Sequence, residues 1–201
     1  MTSETPGALP RGRHNLDPET VAEHQRLRLV DAALAELSEH GYVGMRIDNV
    51  ARRAQVSRRT LYEQFGGREN VSAHALGLAF ADLGRAFVTA CDAEATCGGQ
   101  VRAAVRTAIW FATTRPEAAT VCFRIGDAEP EAMRGVRERF VGGAVDYLGR
   151  VVDGVTALQR RAALFGAAEM MAVAMREGIE VQWVEPELEV FALRTMGIAA
   201  G

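Results

Sequence analysis

Lysine is absent from the sequence: all 23 of its lysine-or-arginine positions are arginine. That usage carries no functional information by itself. Cysteine is scarce, and Cys91, Cys97 and Cys122 are odd in number and lack the paired spacings of a disulfide framework or a metal knuckle. Reduced thiols in a cytoplasmic protein are the expectation. No run of about 18 apolar residues appears, so no membrane span is expected. The opening MTSETPGALPRGRHNLDP has no apolar segment of the kind a secretory signal needs, and residues 1–16 are expected to form a flexible arm. Catalytic signatures are missing too. The four histidines (His14, His24, His40, His74) have no ligand partner four residues on, and there is no G-x-S-x-G, P-loop or H-E-x-x-H. No enzyme activity, metal or cofactor is predicted.

What the chain does have is alanine-rich helical periodicity. Its 201 residues suit one large or two small domains with a real core. Asp17 is placed to cap a first helix with Pro18 at its first position, and Leu27, Val30, Ala33, Leu34 and Leu37 form its stripe, ending at Gly41 as a left-handed cap. Ile47, Val50, Ala51 and Ala54 mark a short second helix. After the turn QVS, Ser57 caps a third helix in which Leu61 and Phe65 lie about 40° apart and face inward. Longer helices are expected over 70–96, broken by Cys97-Gly98-Gly99, then 100–114 up to Arg115-Pro116. A short segment to Ile125-Gly126 and a helix over 130–153 follow. Thr156 to Gln159 form a capping box opening a helix to Gly178, and Pro186 starts the last. No period-two strand is present. The fold is predicted all-α, with a helix-turn-helix unit over 17–69 and a larger helical domain over 70–201.

Charge is unevenly placed. The net charge is −3, yet from Val43 to Arg68 six arginines face only Asp48 and Glu63. The start of the third helix presents Arg58, Arg59, Thr60 and Tyr62 away from the Leu61–Phe65 face. Arginine can chelate the O6 and N7 of guanine in the major groove, and threonine can bond a base edge. Ser57 and the free N–H groups at the helix start suit a phosphate, and Arg46, Arg52, Arg53 and Arg68 suit backbone clamping. Six such contacts imply a log–log salt slope of about −5 per protomer. Arg11 and Arg13 in the arm are within reach of a neighbouring minor groove.

The stretch GYVGMRIDNVARRAQVSRRTLYEQFGGREN resembles the DNA-binding signature of the tetracycline-repressor (TetR) family through Gly41, Tyr42, Ala51, Ala54, Val56, Ser57, Thr60, Leu61, Tyr62, Phe65 and Glu69. The resemblance is specific over residues 26–76. Three positions depart from the pattern. Gln55 stands where the turn usually has glycine, Arg46 where a threonine often begins the second helix, and Arg68 where lysine is common. By the resemblance, Arg58, Arg59, Thr60 and Tyr62 face the groove, with Ser57 and Arg68 on phosphates. It also implies a helical ligand-binding and dimerisation domain and a homodimeric repressor released from a pseudo-palindromic DNA operator by a small-molecule effector. An activator of the same fold and a nonspecific architectural DNA binder are the alternatives. Confinement of the positive charge to one segment argues against the latter.

For the larger domain, small residues in the 130–178 helix pair favour a two-fold four-helix interface with Tyr147, Leu148, Val151, Leu164, Phe165 and Ala168 at the contact. An effector pocket, expected to take a largely apolar molecule, draws its candidates from Phe80, Phe87, Trp110, Phe111, Cys122, Phe123, Met170, Met171 and Met175. Arg106, Arg124 or Glu169 are its candidate polar anchors.

Overall fold

The structure, a computed structural model, describes residues 17–124 and 128–199. The expected arm and the Ile125-Gly126 end of the short segment lie outside them. The described residues form nine α-helices, a short 3₁₀ turn and no strand. In chain order the helices are α1 Pro18–Gly44, α2 Ile47–Arg53, α3 Arg58–Phe65, α4 Arg68–Asp92, α5 Cys97–Thr114, α6 Pro116–Phe123, α7 Glu131–Val151, α8 Ala157–Glu177 and α9 Glu185–Thr195. The 3₁₀ turn, Val181–Val184, joins α8 to α9.

Local rules account for most boundaries, with instructive departures. Pro18 opens α1, but Asp17 makes no side-chain cap bond. Gly41 interrupts α1 at φ 64°, ψ 177°, an extended mirror-image conformation open essentially to glycine alone and different from the left-handed cap expected there. Leu27, at one end of the α1 stripe, is exposed, while Leu29 replaces it in the core. The Cys97-Gly98-Gly99 triplet does not break a helix; it is the first turn of α5. Thr96 caps that turn by accepting from the Gly99 N–H at 3.0 Å. A Cβ on Gly99 would lie 2.7 Å from a Glu94 carboxylate oxygen, so a larger residue there would make the Glu94 side chain move aside. The Thr156–Gln159 capping box forms as its spacing predicts.

α4 is the hub. It packs on α1 at its start, on α5 and α7 along its length, and on α6, while α8 and α9 pair beside α5 and α7. By length and composition α4 could cross a membrane, against the sequence expectation. Here, however, Val71, Ala75, Leu76, Ala79, Phe80 and Leu83 make it a core helix. The buried cluster is continuous from Leu29 and Leu34 of α1 through Leu61, Phe65, Leu76 and Phe111 to Leu193 of α9. The expected 69/70 boundary therefore falls in the first turn of α4, a helix that both parts of the molecule share.

Candidate DNA interface and effector cavity

The turn between α2 and α3 is built on a two-bond cap. The Gln55 N–H donates to the Arg52 carbonyl at 3.1 Å and the Val56 N–H to the Ala51 carbonyl at 3.0 Å. This pattern calls for a left-handed residue at its centre, usually glycine. Gln55 supplies it at φ 53°, alone among described non-glycine residues in having a positive φ. Arg28 of α1 donates to the Gln55 carbonyl at 3.4 Å, tying the turn to the first helix. The departure from the family's glycine thus leaves the turn geometry in place.

Ser57 caps α3, accepting from the Thr60 N–H at 3.0 Å, and the two hydroxyls bond each other at 2.8 Å. Leu61 and Phe65 are buried, so the opposite side of α3 faces outward with Arg58, Arg59 and Tyr62 exposed. The Arg59 side chain is 87% exposed and pairs with Glu63 one turn on, at 2.7 Å. Arg58 pairs with Asp48 of α2 at 2.9 Å. Arg46, at the start of α2, is exposed. Arg52 donates to Asn49 at 2.9 Å, and Arg53 pairs with Glu39 of α1 at 2.8 Å. Arg68 is turned inward: its guanidinium lies 4.4 Å from the centre of the Tyr42 ring and donates to the Met45 carbonyl at 3.4 Å. Two further arginines, not singled out in the sequence, brace this unit. Arg28 holds the turn, and Arg26 sits 4.6 Å over the Phe65 ring. One acidic group also gathers here: Glu36, Glu39 and His40 bring ligand-type atoms within 4.8 Å of one another. Glu39 is held by Arg53, and Glu36 accepts from Asn49 at 3.3 Å.

The larger part of the fold holds a partly open apolar cavity of about 130 Å³ between α4, α5, α6, α7, α8 and α9. Of the sequence candidates, Phe80, Phe87, Cys122, Phe123 and Met171 line it. Trp110, Phe111, Met170 and Met175 do not. Trp110 is 52% exposed on the outer side of α5, and Phe111 is buried in the core beside the cavity. Burial drives the Cys122 thiol up to about 12, so it lines the wall as a neutral, small apolar group. None of the proposed polar anchors reaches the cavity: Arg106 pairs with Glu94 at 3.1 Å, and Arg124 and Glu169 are exposed. Among the described residues, the one charged group in the wall is Arg137 of α7, which sequence reasoning missed. Nothing in its local pattern marks it, because its partners come from 8 to 16 residues away.

The interface candidates divide in the same way. Leu148, Leu164, Phe165 and Ala168 line the cavity, and Leu148 is fully buried within the chain. Tyr147 is buried and donates to Asp92 of α4; burial and that bond both raise its phenol above the usual range. Val151 is half-buried against the core. α7 thus turns these side chains inward and keeps Glu138, Gly143, Asp146 and Arg150 on its exposed side. Exposed apolar side chains also occur beyond α7: Leu158 in the first turn of α8, Ile179 just after α8, Trp183 in the 3₁₀ turn and Val190 on α9.

A short third helix presenting arginines behind a tight turn, set on a larger helical body with an internal cavity, defines a helix-turn-helix protein of two parts. Residues 29–74 match the family model described as bacterial regulatory proteins of the tetR family. A TetR-like transcriptional regulator from Rhodococcus sp. RHA1 superposes with a TM-score of 0.71 at 22% identity, covering 90% of this chain and 99% of that one. FadR from Bacillus subtilis, in complex with stearoyl-CoA, gives 0.72 at 15% identity over 86% and 99%. FadR of Bacillus halodurans, a fatty acid degradation regulator, gives 0.71 at 14% over 86% and 98%. No curated protein matches in sequence. Residues 29–74 thus carry the tetR-family DNA-binding pattern, and the chain as a whole has the fold of TetR-like transcriptional regulators.

Proposed function

We propose that the protein is a sequence-specific homodimeric repressor that binds a pseudo-palindromic operator through α3 and is released by a small apolar effector held in the cavity. Arg58, Arg59, Thr60 and Tyr62 enter the major groove. Ser57 and Arg46 meet phosphates, with Arg52 beside them. The ion pairs that hold Arg58 and Arg59 in the free protein are exposed and weak, so exchanging a carboxylate for DNA costs little. Arg68 serves by stacking on Tyr42 and fixing the start of α4.

The observation that carries ligand response is the position of α6. Its residues Cys122 and Phe123 form cavity wall, while the same helix packs against α1 of the DNA-binding unit. At its end, an Arg124 nitrogen lies 3.8 Å from the Cβ position of Gly41, where α1 breaks. An occupant that shifts α6 therefore moves the base on which α3 stands. That a fold relative is described with a bound acyl thioester supports this reading. Exposed apolar side chains at and beyond α8, Trp183 and Val190 among them, meet the same residues of a second copy, which gives the two-fold symmetry that a palindromic operator requires.

The test is DNA selection from a random pool, followed by operator release. A palindromic consensus, bound by the wild type and not by a monomeric Trp183→Glu variant, supports the proposal. Selection of one unpaired half-site, or unaltered binding by that variant when monomeric, contradicts it.

A further inference from the structure

We infer that the cavity takes an uncharged molecule of about single-ring size, and that Arg137 is a cap on α6, not a receptor for an acidic ligand. The inference rests on reading this cavity as a ligand site and names the chemical class that fits it.

Size comes first. A dry cavity of roughly 150 Å³ lined by leucine, isoleucine and phenylalanine takes up benzene. This one is about 130 Å³, and Phe80, Phe87, Phe123 and Phe140 supply its aromatic walls. The Phe80 and Phe140 rings stack at 4.2 Å, a flat surface on which a ring can lie. This volume matches a single ring and is small for a long acyl chain. A neutral ring restores dispersion contacts that the lining lacks across the void.

Charge decides the rest. The Arg137 and Glu129 side chains are 7% and 11% exposed and form an ion pair. The Arg137 Nε and Nη2 groups both donate to the Glu129 carboxylate. Nη1 donates to the Cys122 carbonyl, and Nη2 also reaches the carbonyls of Arg124 at 3.0 Å and Val121 at 3.3 Å. Those three carbonyls belong to the last turn and end of α6, which a helix leaves without internal partners. The guanidinium is therefore neutralised by one carboxylate and its donors are committed to α6. A second carboxylate entering the cavity has two options. It stays unpaired in apolar surroundings, or it displaces Glu129 and disturbs the bonds that finish α6. A neutral ring faces neither penalty.

The test uses the full chain without DNA and two probes of one ring each, toluene and benzoate, measured by titration calorimetry and thermal shift. Toluene is expected to bind and raise the Tm, with benzoate at least tenfold weaker. Ala104→Leu on α5 and Ala168→Leu on α8, checked for helicity, fill the cavity from two sides and should each weaken toluene at least tenfold. Glu129→Gln removes the carboxylate and should shift the preference towards benzoate, a reversal that a merely structural pair would not produce. Benzoate binding as tightly as toluene to the wild type overturns the inference, as does failure of toluene to bind up to its solubility or unchanged binding by both folded leucine variants. Operator release is read separately. Toluene binding without release sinks the effector role but keeps this assignment. Release by an acid or acyl thioester, with no toluene binding, does the reverse.

Discussion

Arg59 combines full projection into solvent with a carboxylate one turn away, so its contribution to DNA binding is an exchange of partners at little cost. Arg59→Ala and Tyr62→Ala should each abolish operator binding, by fluorescence anisotropy, while helicity and dimer mass stay unchanged. Normal binding by either variant removes that side chain from the groove. Gln55 makes a sharper energetic case. The same two-bond cap ends α9, where Gly197 occupies the left-handed position, and Gly178 is left-handed at the end of α8. A side chain in that conformation costs roughly 1–2 kcal/mol, partly offset by the extra freedom glycine has when unfolded. Gln55→Gly should therefore raise unfolding stability by about 0.5–1 kcal/mol in urea titration; a loss of stability contradicts the assignment. The thiols sort by environment. Cys97 is exposed, whereas burial raises Cys91 to about 11 and Cys122 to about 12. Raised values leave almost no thiolate at pH 8, so a thiol reagent should label Cys97 alone until the protein is unfolded.

At the scale of elements, α8 and α9 touch most closely at Gly166, where a Cβ would sit 2.2 Å from Cζ of Phe191. Gly166→Ala should cost about 1–3 kcal/mol by overpacking. Gly143 of α7 meets nothing within 4 Å, so Gly143→Ala should gain up to about 1 kcal/mol through helix propensity. Equal effects in the two variants would contradict the packing described. These glycines also mark how far the sequence could be read. Periodicity and caps revealed the helices, the buried Leu61–Phe65 face and the outward arginines, because each depends on neighbours within a turn or two. Close spacing of small residues signalled tight helix packing but not its partner. Gly166 answers to α9 of the same chain, and Tyr147 and Leu148 face inward. Trp110 and Phe87 look alike in sequence; only the three-dimensional packing of α5 turns Trp110 away from the cavity. Arg137 was illegible for the same reason, since its meaning lies in carbonyls at the end of another helix.

Across the whole molecule, a net negative chain carries a local excess of positive charge over Val43–Arg68, in a unit joined to a cavity-bearing body through α4 and α6. The structure revises the electrostatics expected from sequence. Arg68 is turned onto Tyr42, which leaves Arg46, Arg52, Arg53, Arg58 and Arg59, all exposed, for phosphates and bases. Five contacts per protomer put the log–log salt slope at about −4.5. The measurement that tests the central claim is selection of bound DNA from a random pool, with affinity for the selected sequence followed against salt. The account predicts a palindromic consensus and a slope near that value for each bound protomer. Binding without a consensus, or no DNA binding at any salt concentration, would contradict it.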